Sequence, residues 1–295
     1  MWVGITPFRW FYIPWSIRRE FMIDGYYAVD YHMHSIRSHD GKATIPQQCS
    51  RAIEIGLDEI CFTEHKDFNP DDPVVNHFDY NLYAEEIASA RELYGDKLTI
   101  RMGVELDYQS WFEDLIGEYL VSHPFDILVA SVHHTRDGMI MSPKYIQGRE
   151  ARDCYRRYFQ EVIRSAQSGY ADVIGHLEYA NRRGVGIFGV YDPEEYEDML
   201  RELFSIMVAK GIALEINTAG LRQGIDMTYP CEKTVALYAE CGGKLLNIGS
   251  DAHKTDDLGA NYIEAVDIAL RNGFNEVCVW ENRKPRGVKL KSINS

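Results

Sequence analysis

The stretch HMHS places His32 and His34 two residues apart. On an extended chain, residues two apart leave the same face, so two imidazoles are aimed at one point. Two such rings beside an apolar interior are costly unless a partner satisfies them. GSDAH repeats the spacing with Asp251 and His253. Single candidates occupy other short motifs, with His65 in FTEH, Glu105 in GVE, His133 in SVHH and His176 in IGH. The loop after the first pair adds His39 and Asp40. A lone histidine at such a place is more often a hydrogen-bonded core or surface residue, and Asp251 with His253 also reads as a buried hydrogen-bonded couple. Their joint recurrence is what argues for a metal centre. His32, His34, Asp40, His65, Glu105, His133, His176, Asp251 and His253 oversupply one zinc-like ion, which takes about four ligands. With a bridging carboxylate they suit two or three divalent ions, and imidazole with carboxylate suits zinc, iron or manganese.

These residues are scattered over more than 200 positions, so the fold must gather them. From residue 26 one pattern recurs: a short apolar or alternating run, then a longer segment with helical spacing. The runs are YYAVDYHMHS, EICFTEH, LTIRMGVELDY, DILVASVHH, DVIGHLEY, IALEINTA and LLNIGSDAH. In YDPEEYEDML, Asp192 is expected as N-cap, Pro193 at the first helical position, Glu195 as the far half of a capping box and Gly211 as the stop. Strands alternating with helices imply parallel pairing with right-handed crossovers. Seven units without a break in composition predict one closed or nearly closed barrel spanning residues 26–295. In six of the seven runs the histidines or carboxylates arrive near the end, and in a parallel barrel all strand C-termini share one rim.

Bulk properties narrow the chemistry. The chain has 295 residues, 45% hydrophobic and 26% charged, with a formal net charge of −14. That acidity repels phosphate backbones, so nucleic acid is not expected as a partner. A small phosphorylated substrate remains compatible, because clustered cations at the rim act at short range. Six scattered cysteines with no C-x-x-C pair suit a reducing compartment, and a cytoplasmic location is expected. Residues 1–25 hold three of the five tryptophans, interrupted by Arg9, Pro7 and Pro14. No run there reaches the roughly 18–20 residues of a membrane span, and Arg18 and Arg19 come too late for a secretory signal. An extension packing on the domain, or an upstream start before Met22, is expected, with no chemistry and no membrane anchor.

HMHS, FTEH, GVE, SVHH, IGH and GSDAH, in this order, resemble the PHP (polymerase and histidinol phosphatase) superfamily, most closely its histidinol-phosphatase branch, over roughly residues 26–255. The resemblance implies a distorted TIM-like (β/α)7 barrel with a two- or three-metal site at the C-terminal rim of the strands. It implies a first ion on His32, His34, Glu105 and Asp251, with Glu105 bridging to a second on His133 and His176. A third falls to His65, His253 and Asp40, with His39 the alternative loop ligand. The activity implied is hydrolysis of L-histidinol phosphate to L-histidinol and phosphate, a step of histidine biosynthesis, with a metal-bridging hydroxide attacking phosphorus.

Arginine is the side chain best shaped for phosphate. Arg222, in NTAGLRQG after the sixth run, is expected over the rim and matches that branch; Arg182 and Arg183 after GHLEY are further candidates, with surface solvation as the alternative. His134 is expected either to donate to phosphate or the leaving oxygen, or to support its ligand neighbour. Other readings stay open: a PHP-type phosphoesterase acting on another phosphate ester, a phosphodiester or a nucleotide; a nuclease, which calls for a basic channel with aromatics that the motifs lack; and a non-catalytic metal-dependent binding module.

Overall fold

The computed structural model describes residues 27–290; the expected extension, residues 1–25, lies outside the described residues. Seven strands hydrogen-bond side by side in chain order: β1 (Val29–Asp30), β2 (Glu59–Lys66), β3 (Thr99–Asp107), β4 (Ile127–Ser131), β5 (Val173–Ile174), β6 (Ala213–Asn217) and β7 (Leu246–Gly249). Every pairing among them is parallel. A helix follows each strand: α1 (Ile45–Ile55), α2 (Tyr80–Tyr94), α3 (Glu113–Ser122), α4 (Ala151–Ser168), α5 (Glu197–Lys210), α6 (Glu232–Glu240) and α7 (Tyr262–Arg271). The expected (β/α)7 barrel is therefore the observed fold.

Closure occurs beyond the regular ladders. The HMHS segment continues past β1 in contact with the chain after β7: Tyr31 N–H donates to Ile248 O (2.9 Å), Asp251 N–H to His32 O (2.7 Å) and His34 N–H to Ala252 O (2.8 Å). Met33 and Ala252 form a parallel bridge. Buried Asp30, one step below His32, accepts from the Ser250 amide at 2.9 Å and the Gly259 amide at 3.0 Å, so it secures the seam instead of joining the cluster above.

Local chemistry explains the ends of the elements. Thr44 and Gln47 form a reciprocal capping box at the start of α1. Before α5 the expected box does not form. Asp192 accepts from the Glu194 amide at 3.3 Å, and a 3-10 turn, Pro193–Tyr196, precedes the α-helix. Gly211 ends α5 in the left-handed conformation (φ 69°), as expected.

The seven-run repeat leaves residues 276–289 unassigned. They form an antiparallel hairpin, β8 (Glu276–Glu281) with β9 (Lys284–Lys289). Its turn residues, Asn282 and Arg283, both have positive φ (50° and 62°), a geometry usually signalled by glycine. The hairpin covers the end of the barrel opposite the histidines. Buried Trp280 donates its amide N–H to Tyr31 Oη (2.8 Å) and its indole N–H to Asn247 Oδ1 (3.2 Å), and Arg283 pairs with Asp172 at 3.0 Å.

β7 passes close to β1 because position 249 has no side chain. A Cβ there would lie 2.3 Å from His32 Cβ and 2.4 Å from Glu215 Oε1. Gly249→Ala is expected to destabilise the fold by about 1–3 kcal/mol through overpacking, read as a lower midpoint of urea unfolding. An unchanged midpoint would show that the seam is not packed as described.

Candidate metal centre

The barrel gathers the nine candidate ligands at one mouth. Register explains the nearest neighbours: His65 on β2 is paired with Glu105 on β3. His32, His34 and Glu105 are fully buried at 0% exposure, whereas Asp40 is the most open of the nine, with 45% of its side chain exposed.

Glu105 lies at the middle and divides its oxygens. Oε1 faces His176 Nε2 at 2.8 Å and His133 Nε2 at 3.7 Å. Oε2 faces His32 Nε2 at 3.3 Å, His34 Nε2 at 3.5 Å and His65 Nδ1 at 2.8 Å. Asp251 Oδ1 lies 3.3 Å from His34 Nε2. Three sets of donor atoms each converge on a common point: His32, His34 and Asp251; His32, Glu105 and His176; and His34, His65 and His253. Asp40 reaches the third set, with its carboxylate 3.1 Å from His253 Nε2 and 3.6 Å from His65 Nε2. His39, the alternative, stands to the side, 3.9 Å from Asp40.

Residues that the motifs did not single out aim these ligands. Glu215 on β6 accepts from His32 Nδ1 at 2.8 Å and from the His176 amide at 2.6 Å. His34 Nδ1 lies 3.1 Å from Ser38 Oγ, which donates to Glu64 at 2.6 Å. His253 Nδ1 bonds the Asp251 carbonyl at 2.9 Å. In all three rings Nδ1 is engaged, so Nε2 is the nitrogen presented to the centre. Asp107 plays a comparable part for His134, Nδ1 to Oδ2 at 2.8 Å. The signal for Glu215 and Glu64 was in the sequence: a carboxylate inside an apolar strand must have a partner. His176 (φ 23°) and Asp251 (φ 56°) hold left-handed backbone conformations, which cost energy and collect at working sites.

The electrostatics ask for positive charge. Burial alone would raise the Glu105 carboxyl, yet His65 and His32 hold it well below the usual range. Burial, with His253 and His65 alongside, pushes His34 down to about 3, keeping it neutral as a ligand must be. His32 goes the other way: burial opposes its charge, but Glu215, Glu105 and Asp251 raise its pKa well above the ordinary value. His32 Nε2, His34 Nε2 and Glu105 Oε2 face one another, fully buried and without hydrogen bonds. Lone pairs turned inward at such a spacing fit divalent metal ions, and the donor chemistry agrees.

A cavity of about 610 Å³ opens above the cluster. Arg182, Arg183, His134 and Tyr179 line it, as do Asp67 and Asp72 from the loop after β2. Arg182 donates to Tyr179 Oη (2.7 Å) and Arg183 only to Met139 Sδ (3.6 Å), so neither guanidinium is paired with a carboxylate among the described residues. Arg222 is placed differently. It is absent from the cavity wall and binds the Ser250 carbonyl (2.5 Å) and Thr218 Oγ1 (3.2 Å), bracing the chain beside Asp251. Its guanidinium also lies 3.8 Å from the Asp257 carboxylate.

Glu215→Gln is expected to keep the fold but weaken metal affinity about 10–100-fold. Metal titration of the apoprotein, with circular dichroism as the folding check, reads this out; unchanged affinity removes Glu215 from the supporting shell.

Comparison with known proteins agrees with this geometry. The PHP domain model matches residues 30–219. A histidinol-phosphatase from Lactococcus lactis is 30% identical over 280 residues, covering 87% of this chain and 95% of that protein. A probable histidinol-phosphatase from Deinococcus radiodurans is 28% identical over 267 residues, covering 86% and 97%. The crystal structure of the Lactococcus lactis histidinol phosphate phosphatase complexed with zinc, L-histidinol and phosphate superposes with a TM-score of 0.79 at 26% identity, covering 88% of this chain and 98% of that one. The chain belongs to the PHP domain family.

Proposed function

We propose that this protein is a metal-dependent histidinol phosphatase that hydrolyses L-histidinol phosphate to L-histidinol and inorganic phosphate. The observation that carries the reading is the buried convergence of imidazole and carboxylate donors on Glu105, beneath a cavity lined by two arginines that have no carboxylate partner among the described residues. The relatives named histidinol-phosphatase support the substrate. We assign His32, His34, Glu105 and Asp251 to a first ion, Glu105, His133 and His176 to a second, and Asp40, His65 and His253 to a third. Zinc is favoured by the relative crystallised with it. Bound divalent cations supply Lewis acidity and a water activated near neutral pH.

The chain's own residues do the rest. Arg182 and Arg183, at the cavity wall without a carboxylate partner among the described residues, are suited to hold the phosphate dianion. Asp67 and Asp72 lie across the barrel from them, on the loop after β2. Neither is in an ion pair among the described residues. The charge of Asp72 suits the amino group of histidinol, and Asp67, pushed up to about 7 by burial and by Asp107, suits it as a hydrogen-bond acceptor. Tyr179, its ring tilted 36° to that of His176 with centroids 4.7 Å apart, packs beneath Arg182.

We take residues 26–295 as one domain. A cytoplasmic enzyme is consistent with six cysteines free of disulfides. Among the described residues no helix is long and apolar enough to cross a membrane.

Complete removal of metal by chelation is expected to abolish hydrolysis of L-histidinol phosphate, with recovery on adding back zinc or manganese. Arg182→Ala is expected to raise KM for that substrate by tenfold or more, in line with the loss of a charge-assisted phosphate contact worth about 1.5–3 kcal/mol. Assays against an aryl phosphate, a phosphodiester and single-stranded DNA test the choice of substrate. Full activity in metal-free protein, or turnover of the diester or DNA alone, overturns the assignment.

A further inference from the structure

We infer that Asp107 is a positioning residue that holds His134 to deliver a proton to the leaving oxygen. The inference rests on the phosphomonoesterase reading above and deepens it. Asp107 ends β3, where it is paired in register with Ser131 at the end of β4, and His133 and His134 follow after Val132. Its carboxylate is buried, at 1% exposure, and every contact it makes acts on this corner. Oδ1 accepts the His133 amide at 3.0 Å, while Oδ2 accepts Gln109 Nε2 and His134 Nδ1, each at 2.8 Å. The His134 ring is thus held from behind on one nitrogen. It lines the cavity, retaining 18% side-chain exposure, and no hydrogen bond to Nε2 is found among the described residues. His133, its neighbour, faces the ligand cluster with Nε2 3.2 Å from His176 Nε2, while its Nδ1 lies 3.6 Å from the same Asp107 carboxylate. Two adjacent histidines therefore serve different purposes. One faces the ligand cluster, and the other faces the space a substrate occupies.

An alkyl phosphate needs such a donor, because an alkoxide is a poor leaving group. The P–O bond to the alcohol breaks with its electron pair left on oxygen, and that oxygen takes the proton from His134 Nε2. The N–H bonding pair stays on the ring, which becomes neutral and keeps its Nδ1 hydrogen on Asp107. Water supplies the fourth oxygen of the released phosphate, and one of its two protons replaces the one His134 gave up, so atoms and charge balance. Asp107 fixes the direction of the ring from behind, the role a buried carboxylate plays behind a histidine in other hydrolases.

The test compares a leaving group that needs the proton with one that does not. His134→Gln and Asp107→Asn are assayed as metal-loaded protein on L-histidinol phosphate and on 4-nitrophenyl phosphate, whose phenolate departs unaided, with metal content measured for each. The expected result is a loss of about 100-fold in kcat on the alkyl ester, less than threefold on the aryl ester and, for His134→Gln, unaltered metal content. The double variant is expected to be no slower than His134→Gln alone. Equal losses on the two esters, or none on either, overturn the inference while leaving the phosphatase assignment intact. If Asp107→Asn fails to fold, His134→Gln alone still decides between these outcomes. A wild-type protein inactive on both esters removes the phosphatase reading and this inference together.

Discussion

Everything at the mouth of the barrel is arranged around the burial of one carboxylate. Glu105 sits at 0% exposure with five imidazole nitrogens within 4 Å of its two oxygens. A buried anion of this kind is tolerated only when opposite charge or hydrogen bonds surround it. The barrel meets the condition by pointing five strand ends at a single spot. Glu215, a second fully buried acid, sits one layer further back. It fixes the His32 ring that serves the first and bonds to the backbone at His176. The centre is thus a set of nested polar layers inside an apolar barrel, and each layer accounts for the orientation of the next.

The cavity above carries the same logic into recognition. Cationic and anionic side chains stand on loops from separated strands, β5 and β2, with the histidine cluster as the floor between them. An ester with a doubly negative phosphate and a cationic alcohol matches that polarity. A nucleic acid, negative along its length, matches only one wall.

Much of this was readable from residue types alone. Period-two spacing in HMHS and the run-then-helix alternation were enough for the barrel and its ligand-bearing rim, because both follow from backbone geometry. Asp40 was separable from His39 only with coordinates, since adjacent loop residues leave in directions that spacing does not determine. Arg222 was expected over the rim by its place after the sixth run; its side chain lies against the Ser250 carbonyl, a contact that sequence does not disclose. The hairpin 276–289 was unannounced because its turn uses Asn282 and Arg283 where glycine would have flagged it. Asp107 was hidden among ordinary strand residues; only its distance to His134 gives it meaning.

The seam between the first and last strands has a consequence for how the molecule holds together. His32 and His34 lie on one lip, Asp251 and His253 on the other, and backbone hydrogen bonds stitch the same residues. Any cation gripped by both lips is a clasp across the place where the first strand must find the distant last one. Occupancy and closure then become a single equilibrium, and the loaded molecule gains resistance to opening in proportion to how tightly the ion is held.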